Sequence, residues 1–298
     1  MAPEALGRPA GVGPARSRDG GPARPRDSGP PRSRDSGGPR EGTEVISEVR
    51  ALAKLTLSLR VTGVRPDGYH TLDAEMVTVD LADSLYFSAG EGLEVIDDGA
   101  AGKGHGTMPE DATNLVARAL TVAGRSAHVR LVKRIPAGAG LGGGSADAAA
   151  VLQWAGVAGA AGLVMAASLG SDVPFCWAGG GRARVTGTGE VLEALAWEEV
   201  AGQAYTLLVP PFGVSTAAVY RCWDQLGGPS ADNGNDLEPA ALVVEPRLRA
   251  WRDLLGTATG QMPRLAGSGS TWFVTGAYPG ADRVVVRASR QPVLPEQA

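Results

Sequence analysis

Ile135-Pro136-Ala137-Gly138-Ala139-Gly140-Leu141-Gly142-Gly143-Gly144-Ser145-Ala146-Asp147 is the stretch on which the reading of this chain turns. Five glycines stand in front of an alanine-rich segment, 145–154, whose composition favours a helix. Upstream, 127–135 is an apolar run of strand character ending at a proline. A glycine-rich turn between a strand and a helix lets backbone N–H groups approach an anion closely, and the helix N-terminus adds partial positive charge. The stretch reads as a phosphate-binding loop.

Three loop chemistries compete for it. Gly138, Gly140 and Gly143 fit the G-x-G-x-x-G spacing of dinucleotide sites. That site also wants an acid about 20 residues further on for the ribose, and no Asp or Glu lies between Asp147 and Asp172. A Walker loop needs Gly-Lys followed by Ser or Thr, and the loop holds no lysine. A plain flexible linker would not run straight into a strong helix former. A third type of nucleotide loop is what remains.

Working outward, 51–61 alternates, with Ala53, Leu55, Leu57, Leu59 and Val61 on one face and Lys54, Thr56, Ser58 and Arg60 on the other, which predicts a half-buried strand. Arg65-Pro66-Asp67-Gly68 has turn chemistry, and 69–81 reads as the returning strand of a hairpin. A separate short strand is expected at 85–88, then a polar loop over 97–111. A helix is expected over 113–123 with Thr113 as cap. Further strands are expected at 181–185 and 204–209, helices at 216–226 and 246–255, and a loop and strand over 265–275. The segment 276–283 is short for a final helix. Strands and helices mix without strict βαβ alternation, so the fold class is α+β.

Residues 1–44 are Gly, Pro, Arg, Asp and Ser with a loose repeat, Pro25-Arg26-Asp27-Ser28-Gly29 and Arg34-Asp35-Ser36-Gly37, and are expected to be disordered. Over all 298 residues the net charge is −4 and the pI about 5.5, which argues against nucleic acid as a partner. Two cysteines, Cys176 and Cys222, are too few for a disulfide framework or a zinc site. No apolar run reaches the roughly 20 residues that cross a bilayer, so no membrane partner and a cytoplasmic location are expected.

The loop also carries a resemblance. The run 136–149, Pro-x-x-x-Gly-Leu-Gly before a Ser- and Ala-rich helix, resembles the central loop of the GHMP kinases. Ala53-Lys54-Leu55 and Ala266-Gly267-Ser268-Gly269-Ser270-Thr271 agree with it in order and spacing. Within that family, Arg65-Pro66-Asp67-Gly68-Tyr69-His70, Leu169-Gly170-Ser171-Asp172-Val173-Pro174-Phe175 and Asn235-Asp236-Leu237-Glu238 are similar to the branch that phosphorylates a cytidyl diphosphate sugar alcohol. The similarity covers roughly 49–287.

The resemblance implies a two-domain fold, with a ribosomal S5-like N-terminal domain over 45–198 and a ferredoxin-like C-terminal domain over 199–298. It implies ATP with Mg2+ as phosphoryl donor and a small-molecule substrate. Lys54 and Asp172 would be catalytic. ATP would lie on Pro136, Ala137, Gly138, Ala139, Gly140, Leu141, Gly142, Gly143, Gly144, Ser145 and Ala146, with Asn114 beside it. Substrate would meet Thr56, Tyr69, His70, Thr216, Tyr220, Gly267, Ser268 and Gly269, with Tyr69 and His70 forming a cytosine pocket. The chain departs from the family pattern at Thr56, where relatives carry Asn, and at Ala146, where a second Ser stands. Two other readings stay open. A GHMP kinase for a non-nucleotide alcohol has no need of Tyr69 and His70, and a non-catalytic nucleotide-binding module has no need of Lys54 with Asp172. The sequence sets neither a dedicated metal site nor an oligomeric state.

Overall fold

The computed structural model describes residues 45–98 and 109–290; the expected disorder of 1–44 lies outside them. Strands β1 (Val45–Val64) and β2 (His70–Ser88) form a long antiparallel hairpin. Its turn is set by Gly68 at φ 85 and by the Tyr69 N–H donating to Asp67 Oδ1 at 3.2 Å. β3 (Gly92–Asp97) and β4 (His128–Lys133) pair in parallel, with α1 (Leu115–Val122) between them in sequence. After the glycine loop come α2 (Gly143–Trp154), α3 (Gly159–Leu169) and α4 (Val173–Trp177). β5 (Arg182–Gly187) and β6 (Val191–Ala194) complete a six-stranded sheet in which β1 pairs with β2 and the remaining order is β3-β4-β2-β5-β6.

A second sheet, β10-β7-β9-β8, is built from β7 (Ala204–Leu208), β8 (Arg264–Leu265), β9 (Trp272–Thr275) and β10 (Val284–Arg287). Helices α5 (Thr216–Gln225), α6 (Glu238–Val244) and α7 (Leu248–Thr259) lie between β7 and β8 in sequence. The class is α+β, as the composition of elements predicts.

Several expectations change. The β1 strand is not half-buried: Ala51 to Thr56 are buried on both faces. The register against β2 slips between Leu52 and Lys54 and again between Thr56 and Ser58. A one-residue slip exchanges the faces of a strand. Ala53 and Leu55 therefore join a cluster with Leu207 and Phe273, while Ala51 and Leu59 belong with the α2 residues Ala148 and Leu152. The slip swings Lys54 and Thr56 to the α2 side. The expected strands 69–81 and 85–88 are one strand, because the hairpin continues without a turn. Asn114, not Thr113, caps α1, its side chain accepting from the Val116 N–H at 2.9 Å. The stretch after 276, read as short for a final helix, leads into a strand, β10. β3, β6, α3, α4 and α6 are additional to the sequence reading.

Candidate active site

The glycine loop leaves β4 at Lys133 and enters α2 through Gly142, which sits at φ 70 and caps the helix with no side-chain hydrogen bond. The first-turn N–H groups of α2 are thus not taken by a capping side chain, the arrangement an anion needs. Gly140, at φ 79, leaves no space for a side chain, since a Cβ there would stand 2.4 Å from the Ala266 carbonyl oxygen and 2.7 Å from that of Gly269. The loop is pinned on two sides by backbone: the Lys54 N–H donates to the Leu141 carbonyl at 3.0 Å and the Thr271 N–H to that of Ala139 at 3.1 Å. It is a built surface between β1 and the 266–271 turn.

That turn is itself held in place. The buried Asn235 side chain donates to the carbonyls of Leu265 (2.9 Å) and Gly267 (2.7 Å) and accepts from the Leu237 N–H (3.0 Å). Asp236 pairs with Arg60 at 2.7 Å and accepts from the Val61 N–H at 3.0 Å. The motif around Asn235 thus ties the turn to β1.

Lys54 stands where these pieces meet. Its ammonium lies 3.1 Å from Asp172 Oδ2 and donates to Thr56 Oγ1 at 3.2 Å, with the lysine side chain 6% and the aspartate 28% exposed. Asp172 precedes α4, yet its side chain makes no capping bond; a simple helix-cap role is thereby set aside, and the carboxylate is turned to Lys54. A buried cation at that distance fixes the orientation of the carboxylate.

A cavity of about 420 Å³ opens over this pair. Its lining brings together most of the expected residues: Lys54, Thr56, Asp172, the loop from Pro136 to Ser145, Thr216, Tyr220, Gly267 and Ser268. Thr216 and Ser268 hydroxyls bond each other at 2.8 Å, and burial with the Asp172 charge nearby pushes the Tyr220 phenol up to about 12. Five expected residues lie off the lining. Asn114 is buried as the α1 cap and donates to the Pro109 carbonyl at 2.7 Å. Ala146 is buried inside α2, and Gly269 packs beneath Gly140. Tyr69 is 66% exposed at the hairpin tip. His70 packs against Tyr220 with ring centroids 4.6 Å apart and ring planes tilted by 33°, and pairs with Asp224 at 2.8 Å, so it borders the site through Tyr220. Sequence reasoning missed Lys133, Ser171 and the apolar residues Leu59, Leu72, Met76, Leu115, Ile135 and Leu237 of the lining; Ser171 and Leu237 stand inside quoted motifs, whereas Lys133 has no local signal.

Comparison with known proteins identifies the family. Residues 109–180 match the GHMP kinases N terminal domain. The 4-diphosphocytidyl-2-C-methyl-D-erythritol kinase of Paramagnetospirillum magneticum is 38% identical over 76% of this chain and 87% of its own length. That of Pelotomaculum thermopropionicum is 38% identical over 80% and 93%. This chain belongs to the 4-diphosphocytidyl-2-C-methyl-D-erythritol kinase family. A crystal structure of a 4-(cytidine 5'-diphospho)-2C-methyl-D-erythritol kinase superposes with a TM-score of 0.59 at 33% identity, covering 76% of this chain and 89% of that one. The mevalonate-3-kinase of Thermoplasma acidophilum, at TM-score 0.52 and 10% identity, shares the fold alone. The enzyme is an ATP-dependent small-molecule kinase of the GHMP type. Among the described residues no helix is long and apolar enough to cross a membrane.

Proposed function

We propose that this kinase transfers the γ-phosphoryl group of ATP to the 2-hydroxyl of 4-diphosphocytidyl-2-C-methyl-D-erythritol, a step of the non-mevalonate route to isoprenoid precursors. The observation that carries the reading is the Lys54–Asp172 pair, 3.1 Å apart under a cavity with the glycine loop as its wall. Asp172 takes the proton of the attacking hydroxyl as the new O–P bond forms and the bond to the ADP leaving group breaks. Lys54 holds the Asp172 carboxylate in line and offsets negative charge on the transferring group. The α2 N-terminus and the loop N–H groups receive the phosphates.

Among the described residues no three His, Cys, Asp or Glu side chains converge on a metal. Magnesium is therefore read as arriving on the nucleotide. The Ser145 hydroxyl and the Asp172 carboxylate, both on the lining, would supply hard oxygen ligands suited to that ion. The cation's contribution is to neutralise phosphate charge. On the acceptor side, Thr216, Ser268 and Tyr220 line the cavity, and Tyr69 and His70 of the hairpin are the side chains proposed to take the cytosine, by stacking and hydrogen bonding.

The test is ATP consumption in a coupled assay with the cytidyl substrate against mevalonate, homoserine and galactose. Turnover is expected with the cytidyl compound alone. Faster turnover of another alcohol would overturn the substrate assignment and leave the kinase chemistry standing.

A further inference from the structure

The glycine loop has no lysine of its own, yet one reaches its base. Lys133 ends β4, is buried, and borders the cavity. Its Nζ lies 3.2 Å from the point where a Cβ on Gly143, the first residue of α2, would stand. The simplest assignment makes it a phosphate-binding cation.

Its partners argue otherwise. Lys133 Nζ donates to Asp147 Oδ2 at 2.6 Å and to Asp83 Oδ2, and both carboxylates are fully buried. Two of the three ammonium protons are committed, and the carboxylates that take them offset the charge of the cation. Such a cluster offers a polyanion no net attraction. The two acids also reach different parts of the chain. Asp83 Oδ1 accepts the N–H groups of Arg134 (2.5 Å) and Ile135 (2.8 Å), which lead into the loop. Asp147 lies within α2, onto which the loop discharges. Lys133 joins the entry of the loop to its exit.

We propose that Lys133, with Asp83 and Asp147, is a positioning clamp that fixes the span of the glycine loop and so preorganises its N–H groups for the nucleotide, rather than a phosphate ligand. The proposal rests on reading this loop as the nucleotide site. Preorganisation acts by removing the ordering cost from binding, so loss of the clamp shows in nucleotide affinity and not in affinity for the second substrate.

The experiment is calorimetric binding of a non-hydrolysable ATP analogue to wild type, Asp147→Ala and Asp147→Asn, with steady-state kinetics and thermal melts on the same samples. Asp147→Ala frees Lys133 and releases the α2 end, and should weaken the analogue about tenfold, the loss of roughly one net hydrogen bond's free energy, while the KM for the cytidyl substrate stays put. Asp147→Asn keeps an oxygen for Lys133 and should restore binding. Where the alanine variant does not fold, Asp147→Ser, too short to reach Nζ, repeats the comparison. Tighter binding by the alanine or serine variant would make Lys133 a phosphate ligand held in check and overturn the clamp. Unchanged affinity with a lowered melting temperature would reduce the cluster to core structure and overturn it equally. Failure of wild type to bind the analogue would instead remove the nucleotide reading of the loop, and the clamp with it.

Discussion

Asp172 separates two readings that the sequence alone holds side by side. An aspartate two residues before a proline at a helix start is the ordinary picture of a cap, but here the side chain caps nothing and meets Lys54 at 3.1 Å. Asp172→Asn retains an oxygen for the Lys54 ammonium and should stay folded. It should cut kcat by about 10²–10⁴-fold, the usual contribution of a general base; wild-type kcat in a folded, saturated variant would remove Asp172 from the chemistry. Residue-scale legibility was uneven. Lys54 and Asp172 stood out because each belongs to a motif. Lys133, Asp83 and Asp147 did not, since a buried ion cluster is assembled from residues up to 64 apart in sequence and leaves no local spacing. Tyr69 was legible as a residue type but not as a position. Its side chain is 66% exposed, so Tyr69→Ala should cost little stability. It should raise the KM for the cytidyl substrate by roughly 5- to 150-fold, about 1–3 kcal/mol of base stacking, at constant KM for ATP. Equal rises in both constants would refute a cytosine-specific role.

Elements were read well where periodicity was unbroken and poorly where tertiary pairing decided the matter. The strand–loop–helix unit around Gly138 to Ser145 was plain from composition, and β4 and α2 fall within a few residues of expectation. β1 was found but misread as half-buried, because register slips in a long hairpin are fixed by the partner strand and not by the strand's own pattern. Those slips are what bring Lys54 under the loop. The closeness shows at Gly142: a Cβ there would stand 2.7 Å from Lys54 Cγ, at a φ of 70 that β-branched residues resist. Gly142→Val should therefore damage both functions at once, raising the KM for ATP and lowering kcat, whereas a substitution affecting the loop alone would spare kcat. Steady-state kinetics with both substrates, read beside a thermal melt, makes the distinction; loss confined to the KM for ATP would mean that Lys54 yields without consequence.

At the scale of the whole molecule, the site draws on both sheets' surroundings, and the Asn235 and Asp236 contacts are what let the late turn meet the early strand. The two-domain division at 198 and 199 is the proposed way to parse this arrangement. Global stability also carries the signature of the buried cluster. Burial is the main cause that pushes the Asp147 carboxyl from 3.8 up to about 7, opposed by the Lys133 charge and reinforced by that of Asp83. Asp147 Oδ1 has no hydrogen-bond partner, so the structure leaves that oxygen free to carry the proton. A raised folded-state value means that the native state holds a proton the unfolded chain has released between about pH 4 and 7. The stabilisation from this group is full below the unfolded value near 3.8 and is lost as pH rises through 7. Asp147→Asn removes the group without removing its shape. The stability of wild type relative to Asp147→Asn should thus decline from pH 4 to 8. Denaturant unfolding of the two proteins across that range measures the gap directly, and a gap constant with pH would mean that Asp147 stays ionised beside Lys133 throughout.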